Sequence, residues 1–241
     1  MTNEVYILSA ARTAIGSFGG SLKGISPADL GAFVTAEAVK RSGVEVQSIG
    51  SNVVGHVIRT DIKDAYMSRR VALNGGLPIH TQSLTLNRLC GSGLEAVTFA
   101  TQQLQLGEVD VAVAGGTESM SSAGHLLTTN RWGQAMGDGK IQDELTGALT
   151  DPFGVGHMGI TAENLAEKYS ITREQQDEFS LKSQQKAVNA IEKGYFKDQI
   201  VPFEMKTRKG STVFDTDEHP RASSTIEGLS GLRAVLRKEA R

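Results

Sequence analysis

The residue best suited to chemistry is the single cysteine, Cys90, set in Asn87-Arg88-Leu89-Cys90-Gly91-Ser92-Gly93-Leu94 between a β-rich run and a helical pattern. A sulfur there faces the unpaired N–H groups and positive dipole end of the helix, a setting that favours the thiolate. Gly91 and Gly93 leave the backbone open to a bulky substrate. The Cys90 amide stands where it could help stabilise an oxyanion. A thiolate attacks well and leaves well, so an acyl group taken up as a thioester can be passed on. The competing reading is a buried structural cysteine, the commoner fate of a lone thiol.

A nucleophile needs a base, and the five histidines are His56, His80, His125, His157 and His219. No pair has the HExxH spacing of a helical metal site, which argues against a metal. Spacing nominates none of them as the base. His56 and His80 fall in strand-like runs and read as structural. His125 and His157 lie in a glycine-rich stretch, and His219 lies in a polar loop. Gly115 to Met120 follows a strand and matches neither GxGxxG nor the P-loop pattern. Within it, Glu118 reads as a hydrogen-bonding structural group. Asp151 to Gly159 mixes apolar residues with His157, a composition that suits either a ligand groove or a mobile loop. Lys206, Arg208, Lys209 and Arg221 form a modest basic cluster, either solvated or in contact with a phosphate.

Composition narrows the classes. With 25 Lys plus Arg against 27 Asp plus Glu, the net charge of -2 makes no electrostatic case for nucleic acid. Aromatics at 5% offer no base-stacking surface either. One cysteine excludes an internal disulfide and any multi-cysteine metal site, and a free thiol suits a reducing cytoplasm. MTNEVYILSAARTAIG has neither signal-peptide nor transit-peptide character. No apolar stretch reaches the roughly 18 residues of a membrane span.

The elements that must position Cys90 are legible from periodicity. Val5 to Leu8 reads as a buried strand. A helix opens at Ser26-Pro27, presents Leu30, Phe33, Val34, Ala38 and Val39, and ends at Gly43. Ser51 to Ile58 reads as a strand and Tyr66 to Leu73 as a helix. Ser83 to Leu86 (strand), Asn87 to Cys90 (turn) and Gly91 to Leu106 (helix) follow in close order. Val109 to Ala114 is another buried strand, closed by Gly115-Gly116. This alternation predicts an α/β layered domain over residues 1–117. Residues 118–241 read as a long, mostly helical insertion, or loop, domain. Its helices are expected at Thr161 to Tyr169 and at Thr172 to Lys193, the latter with a Thr172/Gln175 capping box. Ile200-Val201 and Thr212 to Phe214 are its strand candidates.

Taken together and in order, these motifs resemble the thiolase family, the acyl-CoA C-acyltransferases, along the whole chain. The resemblance rests on Ala11 to Gly16 with Phe18-Gly19-Gly20, on Asn87 to Gly93, and on Gly115 to Met120. It continues through Asp151 to Gly159, His157 to Asn164, Gly194 to Pro202 and Asp217-Glu218. Bacterial biosynthetic thiolases and β-ketothiolases are the nearest in character. The resemblance implies that Cys90 takes an acyl group from a CoA thioester and passes it to an acetyl-CoA carbanion or to CoA. It implies no cofactor, with coenzyme A as substrate and product. Leu149, His157 and Met158 would line the pantetheine groove, and Arg221 would sit near the adenine or phosphate end. Residues His125 to Gln142 would correspond to the loop that joins dimers into tetramers. The family's asparagine, activating histidine and second catalytic cysteine belong to motifs that do not occur in this sequence. The second half of the duplicated fold is therefore expected to be absent. The expected functions are acyl transfer, inactive in this chain alone, or a non-catalytic remnant that binds CoA or oligomerises.

Overall fold

Residues 4–207 and 210–236 are described in the computed structural model. Helix α1 (Pro27–Ser42) starts where the Ser26 hydroxyl accepts the Ala28 N–H and Pro27 takes the first helical position. It ends at Gly43, whose φ of 71° a residue with a side chain rarely adopts. There follow β1 (Ile49–Gly55), α2 (Met67–Asn74), β2 (Gln82–Leu86), α3 (Ser92–Leu106) and β3 (Val111–Gly116). β1 pairs in parallel with both β2 and β3, so the sheet order is β2-β1-β3.

Side chains alternate across this sheet and feed a separate cluster on each face. On one face Val54 packs with Ala28, Met67 and Val71 of α1 and α2. On the same side Val111 and Val113 pack on a group of Ile49, Ala72 and Leu77. On the other, Val53 packs with Ala96 and Ala100 of α3, joined by Ala112 and Ala114. Helices on both faces are what a parallel sheet requires, and the α/β layering expected from the sequence is present.

The remainder comprises β4 (His125–Leu127), β5 (Ile141–Asp143), α4 (Glu144–Ala148), β6 (Thr150–Asp151) and β7 (Gly156–His157), then α5 (Met158–Lys168), α6 (Arg173–Glu192), β8 (Phe203–Thr207), β9 (Gly210–Phe214) and α7 (Ile226–Ser230). Three antiparallel pairs, β4-β5, β6-β7 and β8-β9, punctuate the helices. The Thr172/Gln175 capping box opens α6 as expected. This part grips the start of the chain. Arg12 N–H donates to Gln199 O at 3.0 Å and Val201 N–H donates to Arg12 O at 2.9 Å. The Arg12 guanidinium donates twice to Asp217, at 2.8 and 3.0 Å. Beneath that pair, Ala14, Ile200 and Phe214 form a buried cluster with Leu22, Phe196 and Met205 against it.

Three expectations from the sequence are corrected. Among the described residues Val5 to Leu8 is extended but pairs with no strand, and Ile7 is 82% exposed. β3, among the described residues, pairs on one edge only and is half-buried, although Val-Ala-Val-Ala reads as an enclosed strand. Both runs have the apolar content of buried strands and, among the described residues, lack a neighbour to complete their backbone hydrogen bonds. Ile200-Val201 is buried but, among the described residues, makes only an isolated parallel bridge to Arg12, while the Ile200 N–H turns back to Phe196 O at 3.0 Å.

Candidate active site

The three parallel strands end together, at Gly55, Leu86 and Gly116, and backbone bonds tie those ends. His56 N–H donates to Leu86 O at 3.0 Å, and Thr117 N–H donates to Gly55 O at 3.1 Å. Ligands of open α/β sheets gather at such carboxyl ends. Cys90 lies in the turn that follows β2 there, and its thiol is free and exposed.

The turn is held by its own polar groups. Asn87 Oδ1 accepts the Leu89 N–H at 2.9 Å. The Ser92 hydroxyl accepts from Arg88 N–H at 2.8 Å and donates to Leu89 O at 2.6 Å. Arg88 also pairs with Glu95 in the first turn of α3. Immediately before the cysteine, Leu89 has φ 50°, a left-handed conformation that costs a leucine about 1–2 kcal/mol. Strain of this kind next to a free thiol is a feature of functional sites. Missing side chains set the depth of the turn. A Cβ on Gly55 would lie 2.7 Å from the Ser92 carbonyl carbon, and one on Gly116 would lie 3.3 Å from Gly55 O. Glycine at both places lets α3 seat its first turn on the strand ends.

Beside those ends lies a polar cluster that the sequence did not reveal as a unit. His56 Nδ1 is 3.0 Å from Thr117 O and 3.3 Å from Glu118 Oε1. A ring nitrogen facing a carbonyl is the protonated one. That leaves Nε2 buried, without a hydrogen bond, 3.7 Å from Asp64 Oδ2. The Glu118 carboxylate accepts the Val57 and Ile58 N–H groups, which is the structural role read from the sequence. Burial opposes ionisation of Asp64. Hydrogen bonds from the Thr60 N–H and hydroxyl and from the Asp61 N–H, with the nearby His56, outweigh it and hold the carboxyl below its ordinary range. Arg70 completes the group at 2.8 Å. A local signal existed, since Asp61 and Asp64 form a capping box at a 3-10 turn.

The residues expected to contact a ligand fall into two places. Leu149 O accepts the Met158 N–H at 2.8 Å, and Thr150 stands opposite His157 in the β6-β7 pair. His157 Nδ1 accepts the Gly159 N–H at 3.1 Å and so caps α5. Leu149, His157 and Met158 therefore share one short stretch of surface. Arg221 is held elsewhere, its N–H donating to Gln184 Oε1 of α6 at 2.7 Å. Among the described residues, no hydrogen bond or ion pair joins either place to the Cys90 turn. Arg208 and Lys209 of the basic cluster lie outside the described residues. Cys90 lines neither of two cavities, of about 400 and 180 Å³, among the described residues. Among the described residues no group of three or more His, Cys, Asp or Glu could hold a metal. No helix there is long and apolar enough to cross a membrane.

Comparison with known proteins places this geometry in context. A family model described as the thiolase N-terminal domain matches residues 5–240. A β-ketothiolase of Cupriavidus necator is 53% identical over 239 residues, which are 99% of this chain and 61% of that protein. The crystal structure of the Bacillus anthracis acetyl-CoA acetyltransferase superposes with a TM-score of 0.94 at 46% identity, over 98% of this chain and 60% of that one. Human mitochondrial 3-ketoacyl-CoA thiolase, solved in complex with CoA, gives a TM-score of 0.91 at 37% identity, over 97% and 58%. The chain thus spans about three-fifths of the length of the relatives it matches.

Proposed function

The chain belongs to the thiolase family, and on that premise we propose that it carries the acyl-accepting nucleophile, Cys90, of an acyltransferase acting on CoA thioesters. The observation that carries this reading is the exposed thiol after a strained Leu89, at the carboxyl ends of three parallel strands. The Cys90 thiolate attacks the thioester carbonyl of an acyl-CoA. The tetrahedral oxyanion collapses, the bond from carbon to the CoA sulfur breaks, and CoA leaves as a thiol once protonated. The acyl-cysteine then loses its acyl group to the C2 carbanion of acetyl-CoA, forming a carbon–carbon bond and returning the thiolate. In the reverse direction CoA cleaves a 3-ketoacyl-CoA.

Leu149, His157 and Met158 are proposed to contact pantetheine, which suits a short surface of mixed apolar and polar character. Arg221 is proposed for the adenine or phosphate end. A reducing cytoplasm suits the free thiol. Self-association through His125 to Gln142 is supported by the exposure of Leu126, Leu127, Trp132, Met136 and Ile141 there.

A second reading, a non-catalytic chain that binds CoA or only oligomerises, is favoured by one fact. Among the described residues no histidine or carboxylate is hydrogen-bonded to Cys90 as a base. Incubation with acetyl-CoA followed by intact-mass analysis separates the two. The expected result is one acetyl group on Cys90, lost in Cys90→Ala, with no measurable thiolysis of acetoacetyl-CoA by this chain alone. CoA binding without any acetyl-cysteine would instead support the second reading.

A further inference from the structure

The three strand ends converge on His56. Its N–H donates to Leu86 O, the last residue of β2, and its ring faces Thr117 O, just past β3. The side chain is buried, and it meets the 3-10 turn Ile62–Tyr66 at Asp64, which is buried too. With the Nδ1 proton on Thr117 O, the lone pair of Nε2 is left facing Asp64 Oδ2 at 3.7 Å, without a hydrogen bond among the described residues. Two electron-rich atoms out of water are costly neighbours unless a proton lies between them. Asp64 is not its source. Burial favours the neutral carboxyl, but bonds from the Thr60 N–H and hydroxyl and the Asp61 N–H outweigh it and keep the group ionised. Histidine can take up the proton, because its charge changes between about pH 5 and 8.

The charges around the ring point the same way. Among the described residues two carboxylates are in ion-pair reach of it, Asp64 from the 3-10 turn and Glu118 from the segment after β3, the latter at 3.3 Å. One guanidinium, Arg70 of α2, stands behind Asp64 on Oδ1. There α1, β2 and α3 bring no charged group within that reach. Two anions against one cation come into balance when the ring gains a proton.

We propose that His56 is a proton-operated clasp at the strand ends that carry the Cys90 turn. One proton taken from solvent at Nε2 bonds the ring to Asp64 while Nδ1 keeps its bond to Thr117 O, so the 3-10 turn is tied to the end of β3. No covalent bond changes. The unprotonated ring keeps only the Thr117 bond. Because the closed clasp binds a proton that the open one lacks, closure is favoured at low pH and lost as pH rises through the histidine range. The path to the cysteine is short. His56 holds Leu86, and Gly55 lies against Ser92, whose hydroxyl ties Arg88 and Leu89 on the way to Cys90. The clasp does not rest on Cys90 forming an acyl-enzyme.

Nitrogen-15 spectra of the histidine rings in the whole chain, assigned by through-bond correlation, read the clasp directly. Both His56 ring nitrogens should carry protons near about pH 5.5, and Nδ1 alone near about pH 8. Amide exchange, corrected for its intrinsic pH dependence, should show Val57, Ile58 and Thr117 roughly tenfold better protected at the lower pH. Glutamine can donate to Thr117 O without titrating, so His56→Gln should lose that pH dependence. The ratio of wild-type to His56→Gln iodoacetamide labelling rates at Cys90 should shift by roughly threefold or more across the same range, since the thiol's own titration is common to both. A His56 ring charged throughout, or neutral throughout, overturns the proposal. So does equal protection at both pH values, or a labelling ratio that stays constant. The ring spectra and the exchange need only the unaltered chain, so they decide even if His56→Gln does not fold.

Discussion

Gly55 and Ser92 meet where the sheet hands over to α3: a Cβ on Gly55 would lie 2.7 Å from the Ser92 carbonyl carbon and 2.8 Å from its Cβ. The obstruction is mainly backbone, so it cannot be relieved by a rotamer change. Gly55→Ala should therefore cost about 1–3 kcal/mol in urea unfolding, the usual range for overpacking. It should also change the iodoacetamide labelling rate of Cys90, because the first turn of α3 has to move. An unaltered labelling rate would mean that the turn does not depend on this contact.

Leu89 sits at φ 50° and is 54% exposed, so little packing offsets the backbone strain. Asparagine adopts this conformation more readily than leucine. Leu89→Asn should raise stability by about 0.5–1 kcal/mol, while Leu89→Val, branched at Cβ, should lower it by a similar amount. Thermal midpoints of the two variants moving in the same direction would contradict the assignment of strain.

Asp64 and Asp217 make the acid limb of stability predictable in sign. The Arg12 side chain is the chief cause of the depressed Asp217 carboxyl, against some desolvation, with help from the Ile15 N–H. Asp64 is held low as described above. Carboxyls held below the ordinary value, about 3.9 for Asp, contribute stability that is fully present above that pH. The contribution is lost as pH falls through the lower folded-state value, because the unfolded chain takes up the proton first. Unfolding free energy should thus be insensitive to these groups above about pH 5 and decline below about pH 4. Asp64→Asn should cost roughly 2–3 kcal/mol at neutral pH, since it disrupts a buried, multiply bonded group. It should also flatten the acid decline. A parallel decline in wild type and variant would remove Asp64 from the account.

His157 has a structural duty separable from ligand contact, since its Nδ1 caps α5 through the Gly159 N–H. His157→Ala should cost about 1 kcal/mol of stability, and His157→Asn, a competent cap, should cost much less. If the imidazole also contacts CoA, both variants should bind CoA more weakly, whatever their stabilities. Normal CoA binding by His157→Asn would confine His157 to capping.

What the sequence determined by itself was local. Ser26 with Pro27, Gly43, and Thr172 with Gln175 mark helix ends through bonds or φ angles spanning a few residues, so the local residue pattern is enough to locate each. The β2-turn-α3 setting of Cys90 was legible for the same reason, as its polar ties run no further than Asn87 to Glu95. Tertiary structure decided the rest. Arg12 finds Asp217 across 205 residues, and Val57 finds Glu118 across 61, and no periodicity records such partners. Val5 to Leu8 and Val111 to Ala114 show the limit most clearly. An apolar run states that burial lowers its free energy, but not which surface provides it. Only the tertiary structure showed that both runs line one cavity together with residues of α1 and α3, and that among the described residues neither run is paired on both edges.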